Sequence, residues 1–224
     1  MNDDPDPWLT ALPTMLRARS GESAGDLAPG DIALVGYFCD CLSAPEPGQR
    51  FLARQIRYFS GELTSPARGA VDLGDLNVFP LEPEKHMAAL EDQVSLILNA
   101  GARPCLVGGD RSGLDGLRRS MTKRLTMAPN LLIAGQTTDV ASDLPLIVAA
   151  DLSLIAGRWL SRPRRLAGLS PHQIIDALGT IDQPVVAAAI FGMAPALDAP
   201  GMGETRAARD ILSALLAAIQ RGDR

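Results

Sequence analysis

Short apolar runs of strand length alternate with stretches of helical length from residue 31 to the end of the chain. The predicted strands cover 32–35, 104–107, 131–134, 146–150 and 185–190, and the predicted helices cover 53–59, 87–100, 114–125, 172–178 and 205–220. This alternation predicts an α/β fold with three layers, α/β/α, in which right-handed crossovers place helices on both faces of a mostly parallel sheet.

The length of the chain is sufficient for one well-buried domain. Of its 224 residues, 46% are hydrophobic and 21% are charged, and we predict a single domain over residues 31–224. Residues 1–30 are rich in Asp, Pro, Gly and Ser, which indicates a mobile N-terminal arm. A short helical patch in the arm is expected to dock on its own domain rather than on a partner; its apolar residues are Trp8, Leu9, Leu12 and Leu16.

Charge and cysteine content narrow the class of partner and the compartment. A net charge of -5 argues against a nucleic-acid partner, because phosphate binding depends on clustered Lys and Arg. The longest apolar runs are too short for a membrane span, and no signal segment opens the chain. With three cysteines, two of them Cys39 and Cys41, a disulfide framework is not expected. We therefore predict a reduced, cytoplasmic protein whose partners are small molecules or other proteins.

The stretch from Cys105 to Ser112 is the strongest candidate for a functional site. Its sequence, Cys-Leu-Val-Gly-Gly-Asp-Arg-Ser, reads as a buried strand, a glycine turn and an Asp-X-Ser segment that leads into a helix. In open α/β sheets, ligands bind in the crevice at the carboxyl ends of parallel strands. Asp110 and Arg111 are therefore expected at such a crevice.

This stretch resembles the Gly-Gly-Asp-His-Ser signature of the arginase and agmatinase (ureohydrolase) family, whose members hydrolyse guanidino groups with a pair of manganese ions. Further segments resemble the family in the same order along the chain: 31–40, 47–57, Asp72-Leu73-Gly74-Asp75, 149–154, Gly168-Leu169-Ser170, and Pro195 with Asp198. The resemblance implies an arginase/deacetylase-like fold, here in a shortened form.

The resemblance also implies which residues stand at the family's metal-binding positions. The first metal histidine corresponds to Arg111, and the Asp-Ala-His-X-Asp segment corresponds to 135–139, of which only Asp139 is a carboxylate. In the Asp-X-Asp strand, Asp151 matches the first acid and Ser153 the second. In all, two of the six metal positions, Asp139 and Asp151, still carry a metal-binding side chain.

Other positions complete this comparison with the family. A further acid corresponds to Ala156, and the glutamate that holds the guanidino group corresponds to Gly192. Only about a dozen residues separate Asp139 from Asp151, whereas the resemblance implies a further strand, helix and loop there. An alternative alignment therefore matches 131–136 to a later family strand, and in it the metal-binding turn is deleted. Either alignment predicts a vestigial site with no metal or cofactor; its residues are Asp110, Arg111, Asp139, Asp151 and Ser153.

Two interpretations of Arg111 stand side by side. A guanidinium has no lone pair for a metal, but it could pair with converging carboxylates as a substitute cation. The alternative is an arginine exposed to solvent. His86 and His172 are predicted to be solvated helix residues rather than catalytic bases, and without a nearby histidine a serine or cysteine nucleophile is disfavoured.

Three functions follow from these observations. The first is a catalytically inactive ureohydrolase-like protein that acts through homo- or hetero-oligomeric assembly, for example with an active relative. The second is a hydrolase of a guanidino or amidine C–N bond with a rearranged site on Asp110, Asp139 and Asp151, which would use manganese. The third is a binding module for a cationic amine or guanidino ligand.

Overall fold

The computed structural model describes residues 15, 18–21, 23–40, 47–60, 69–76, 82–125, 127–136, 144–156, 168–198 and 201–221. The strands are β1 (Arg19–Ser20), β2 (Ile32–Gly36), β3 (Ala70–Asp75), β4 (Arg103–Val107), β5 (Asn130–Ile133), β6 (Leu146–Asp151) and β7 (Val185–Phe191). The helices are α1 (Leu52–Phe59), α2 (Pro83–Asn99), α3 (Ser112–Arg124), α4 (Pro171–Gly179) and α5 (Gly203–Arg221).

The described strands form one parallel sheet in the order β1-β3-β2-β4-β7-β6-β5. After β2 the chain crosses to β3 on one side, whereas after β4 it crosses to β5 at the opposite edge. The connections therefore diverge between β2 and β4, and such a divergence opens a crevice at the carboxyl ends of the strands. The candidate stretch that follows β4 lies at this crevice.

Helices cover both faces of the sheet, as the buried residues show. One apolar cluster joins the sheet to α1, α4 and α5 through residues such as Ile56, Ile174 and Ile211. The other joins it to α2 and α3 through residues such as Leu90 and Leu117. The predicted three-layer α/β/α fold is confirmed, and the described sheet is parallel throughout.

The predicted strands and helices are all present, with ends shifted by a few residues. The largest shift is at α2, which begins at Pro83 rather than at 87 because proline fits the first helical turn, where its missing N–H is not needed. Strand β3 is absent from the predicted strands. Its sequence, Ala-Val-Asp-Leu-Gly-Asp, has a glycine and two aspartates that are rare in strands.

Part of the predicted N-terminal arm belongs to the described structure. Strand β1 pairs with β3, and Met15 is fully buried, with its N–H donating to Asp72 Oδ2 at 2.9 Å. Residues 1–14 and Leu16 lie outside the described residues. Among the helices that the structure describes, none is long and apolar enough to cross a bilayer.

Candidate functional site

The glycine turn after β4 packs tightly against the loop that follows β2. Gly109 has φ 71°, and a Cβ added there would lie 2.6 Å from the carbonyl oxygens of Tyr37 and Cys39. Backbone hydrogen bonds join the same segments, from Asp110 N–H to Cys39 O at 3.0 Å and from Gly109 N–H to Gln49 O at 3.0 Å. Only glycine allows the two loops to approach this closely.

Asp110 lies inside the protein rather than on the crevice surface, with 1% of its area exposed. Its Oδ1 accepts hydrogen bonds from the backbone N–H of Ser112, at 3.0 Å, and from the Ser112 hydroxyl. The Ser112 hydroxyl also lies 2.8 Å from the buried hydroxyl of Tyr37, and burial raises the pKa of Tyr37. Asp110 therefore shapes the turn from β4 into α3.

Arg111 is exposed at the start of α3. It makes no ion pair with another residue in the described ranges, so neither Asp110 nor Asp151 is its partner. This agrees with the solvent-exposed interpretation and gives no support to a substitute cation at these two carboxylates. Asp139 and Thr137 lie outside the described residues.

Asp151 closes strand β6 with the same local geometry that Asp110 has after β4. Its Oδ1 accepts hydrogen bonds from the Ser153 N–H at 3.0 Å and the Ser153 hydroxyl at 2.6 Å. Both segments are therefore Asp-X-Ser turns, in which one carboxylate oxygen binds the backbone and hydroxyl groups of the serine two residues on. Asp151 is half-buried and Ser153 is exposed.

Gly192 lies between these two turns, directly after β7, and its N–H donates to Gly109 O at 3.2 Å. It has φ 88°, and a Cβ added there would lie 2.7 Å from Asp151 Oδ1. A side chain at this position would therefore collide with the aspartate in its present position. Gly192 thus joins the turn after β4, through Gly109, to Asp151 at the end of β6, while Asp110 is buried and Ser153 is exposed.

In the described part of the chain, no three His, Cys, Asp or Glu side chains lie close enough together to hold a metal ion. Asp110 follows β4 and Asp151 ends β6, and these two strands are separated by β7.

A family model described as the arginase family matches residues 30–133. These residues make up less than half of the chain, and over them the chain is similar to the arginase family. Solved structures agree in fold. Proclavaminate amidino hydrolase from Streptomyces clavuligerus matches with a TM-score of 0.80 at 17% identity, over 97% of this chain and 100% of that one. A hypothetical agmatinase from Burkholderia thailandensis matches with a TM-score of 0.77 at 14% identity, over 94% of this chain and 90% of that one. Formimidoylglutamase from Bacillus subtilis matches with a TM-score of 0.72 at 15% identity, over 98% of this chain and 95% of that one.

Two of the segments that resemble the arginase family meet in a buried ion-pair network that sequence reasoning did not find. Arg57 binds both oxygens of Asp72, at 2.9 and 3.0 Å, and reaches Asp75 Oδ1 at 2.5 Å. Arg54 Nε contacts the other oxygen of Asp75 at 2.9 Å. Burial on its own would lower the pKa of Arg57, but the hydrogen bonds and charges of Asp72 and Asp75 outweigh burial and raise it. The sequence signal that could have indicated this network was the presence of arginines in 54–57 and aspartates in 72–75, both in family-like segments.

The last family-like segment, Pro195 with Asp198, has a structural role. Pro195 opens a 3-10 turn, and the Asp198 carboxylate accepts hydrogen bonds from the N–H groups of Glu204 and Thr205 at 3.2 and 2.8 Å. The Thr205 hydroxyl donates to the same carboxylate at 2.8 Å. Asp198 thereby satisfies backbone donors in the first turn of α5.

The two histidines differ from each other in exposure. His172 is exposed, as predicted, and lines a cavity of about 410 Å³ between the first turns of α4 and α5. The prediction of a solvated His86 is wrong. Because α2 begins at Pro83, His86 lies on the buried face of the helix, in line with Leu90, and its ring is 5.1 Å from that of Tyr37.

The described thiols do not suit a nucleophile. Cys39 and Cys105 are both buried. Burial raises the pKa of Cys105 to about 12, so that this thiol stays protonated at neutral pH. Cys41 lies outside the described residues.

Proposed function

We propose that this chain is a non-catalytic member of the arginase family, which acts by assembling with other subunits. The observation that carries the proposal is the pair of Asp-X-Ser turns. Each of the two crevice aspartates in the described structure uses one carboxylate oxygen to hold the turn after its own strand. In this arrangement one oxygen of each carboxylate is already bound to the turn after its own strand.

The donor set supports the same conclusion. Two divalent cations close together need several anionic oxygens and usually an imidazole. The positions that resemble the family's ligands instead offer the Arg111 guanidinium, which cannot coordinate a metal, and the neutral hydroxyl of Ser153. Asp110 is buried, and Asp151 is half-buried. We infer that the described residues do not fit a manganese pair.

Assembly with other subunits is the function that we propose for a fold that is kept without catalysis. The likeness to solved family structures extends over nearly the whole chain, at 97% for the Streptomyces enzyme, which favours a maintained scaffold. A scaffold of this kind can join a homo-oligomer or a mixed ring with an active relative. The low cysteine count, three in 224 residues, suits a reduced, cytoplasmic setting, and the net charge of -5 suits protein partners rather than nucleic acid.

Release of urea tests the catalytic part. The purified full chain is incubated with arginine, agmatine or a guanidino acid, with manganese, nickel or zinc added, beside an active agmatinase as positive control. We expect no urea above the rate without protein. Sustained turnover would overturn the proposal and favour a hydrolase with a rearranged site.

Co-purification tests the assembly part. The tagged chain is expressed alone and together with an active family member, and the mass of each complex is measured by light scattering after gel filtration. We expect a complex larger than one chain in at least one of the two preparations. A monomer in both would contradict assembly.

One observation favours a second candidate, a binding module for a cationic amine. Asp151 Oδ2 accepts no hydrogen bond from a described residue, and the side chain is half exposed beside Gly192. A protonated amine could pair with this oxygen. Thermal-shift measurements with agmatine, putrescine and guanidine test this, with Asp151→Asn as control. Stabilisation that disappears in the variant would support the binding module.

A further inference from the structure

The cavity between the first turns of α4 and α5 is separate from the crevice aspartates. Its volume is about 410 Å³, within the range of about 300–1,000 Å³ that is typical of small-molecule sites. Among its described lining residues, neither Asp110 nor Asp151 occurs. Gly203 is exposed in its wall, and a Cβ added there would meet no atom within 4 Å. The cavity is therefore open space at this wall.

Most of the cavity wall is apolar. Ile155 comes from the turn after β6, Pro171 and Ile175 come from α4, and Ala207 comes from α5. His172 also lines the cavity and is exposed to solvent. An apolar group that enters the cavity leaves water together with these aliphatic side chains, and this burial favours binding. The wall therefore suits a ligand with an apolar body.

Among the charged groups of the wall, the Glu204 carboxylate is the polar anchor for a ligand. Glu204 is 8% exposed. Arg206 contributes to the wall, but its guanidinium lies over the Phe59 ring of α1, at 5.4 Å from the ring centre. Asp210 accepts two hydrogen bonds from Arg209, at 2.8 and 3.0 Å. Because a carboxylate accepts several hydrogen bonds at once, a ligand can donate to Glu204 beside its partners in the protein.

The cavity does not suit an anion, although two helices start beside it. In α4, the Gln173 N–H donates to the Ser170 hydroxyl at 3.2 Å. In α5, the N–H groups of Glu204 and Thr205 donate to the Asp198 carboxylate at 3.2 and 2.8 Å. The protein's own caps thus use these helix donors, and the Glu204 carboxylate would repel a second negative charge.

We propose that this cavity binds a small organic cation, a primary amine with a short alkyl chain. The ammonium group of the ligand pairs with the Glu204 carboxylate, and the alkyl chain lies against Ile155, Ile175 and Ala207. The site is distinct from the crevice, so the inference does not depend on whether the crevice is catalytic.

Titration of the full chain with three ligands of one chain length, followed by amide NMR, tests the proposal. Hexylamine, hexanol and hexanoate share the alkyl chain and carry a positive, no and a negative charge at neutral pH. Hexylamine should bind about tenfold more tightly than hexanol, and hexanoate should bind most weakly. The amide shifts should centre on Ile175 and Ala207. Equal affinities for the three ligands, no binding of hexylamine, or shifts centred on Asp151 and Ser153 would overturn the proposal.

Two glycine variants give a matched test of the cavity itself. Gly203→Leu places a side chain in the open space of the cavity, whereas Gly179→Leu adds the same side chain at the exposed last residue of α4, outside the cavity. At both positions φ lies outside the left-handed region, and an added Cβ meets no atom within 4 Å. Gly203→Leu should abolish hexylamine binding, and Gly179→Leu should bind hexylamine like the unmodified chain.

Glu204→Gln separates the charge of the anchor from its shape. This variant should bind hexylamine about as weakly as hexanol, with hexanol binding unchanged. Far-UV circular dichroism checks that each variant is folded. Unchanged hexylamine affinity in a folded Gly203→Leu or Glu204→Gln variant would refute the site. If Glu204→Gln does not fold, the three ligands on the unmodified chain decide whether the cavity selects a cation.

Discussion

Replacing Arg57 by methionine should be among the most destabilising single changes in this protein. Arg57 and Asp72 are 5% and 4% exposed and are joined by two hydrogen bonds at 2.9 and 3.0 Å. Methionine fills much of the same volume but leaves the Asp72 carboxylate buried without its cation. Removing one partner of a buried ion pair costs about 3–5 kcal/mol.

The matched control is Arg54→Met in the same network. The Arg54 side chain is 54% exposed, contacts Asp75 at 2.9 Å and lies over the Phe38 ring at 4.1 Å. An exposed ion pair contributes about 0–1 kcal/mol, and a cation–π contact at an exposed site about 0.5–1 kcal/mol. We therefore expect a loss of no more than about 2 kcal/mol for the control.

Urea unfolding followed by far-UV circular dichroism measures both variants. With a slope of about 2 kcal/mol per molar urea, Arg57→Met should lower the midpoint by about 2 M and the control by less than about 1 M. Arg57→Met combined with Asp72→Asn should be more stable than Arg57→Met alone, because the uncompensated charge is gone. Equal losses for Arg57→Met and Arg54→Met would refute the buried-pair interpretation.

Three further changes probe the turn, the helix start and a buried thiol. Gly109→Ala should lower the free energy of unfolding by about 2–4 kcal/mol, because its Cβ would lie 2.6 Å from Tyr37 O at φ 71°. Gly30→Ala is the control, because Gly30 has φ 85° but no atom within 4 Å of the added Cβ. Its loss should be about 1 kcal/mol in the same urea unfolding. Asp198→Ala should lower stability by about 1 kcal/mol in thermal unfolding, through loss of the cap on α5. The folded-state pKa of Cys105 is raised from 9.0 to about 12, so its contribution to stability is complete below pH 9 and is lost as the pH rises toward 12. Melting temperatures from pH 8 to 11 should therefore fall less steeply in Cys105→Ala, and parallel curves would contradict this.

Periodicity predicted the layers because the core of this protein is made of continuous apolar runs. The strand Leu146–Asp151 and the helix Gly203–Arg221 each follow one clear pattern over several residues, and a pattern of that length leaves few alternatives. Strand β3 breaks the pattern because it carries Asp72 and Asp75. These carboxylates are tolerated in a sheet only because Arg57 reaches them from α1, 15 and 18 residues away in sequence. A contact at that distance along the chain has no local signal.

The same limit applies to His86. A histidine near the start of a helix is usually solvated, and only the start of α2 at Pro83 turns this one toward Tyr37 and the core. A shift of a few residues in where a helix starts changes which face of the helix a side chain lies on. Helix starts are also the least certain part of a sequence-based prediction.

The candidate stretch lies at the end of β4, where its sequence placed it. The contacts of its aspartate come from residues next to it in sequence, whereas a metal site would need residues from distant parts of the chain. Asp110-Arg111-Ser112 and Asp151-Leu152-Ser153 share one spacing, and a carboxylate can bind the N–H and hydroxyl of a serine two residues on without any other part of the fold. Coordination of a metal pair, in contrast, requires donors from several strand ends at once. In both segments the serine two positions on therefore makes a local turn the simpler interpretation of the aspartate, and this spacing is visible in the sequence alone.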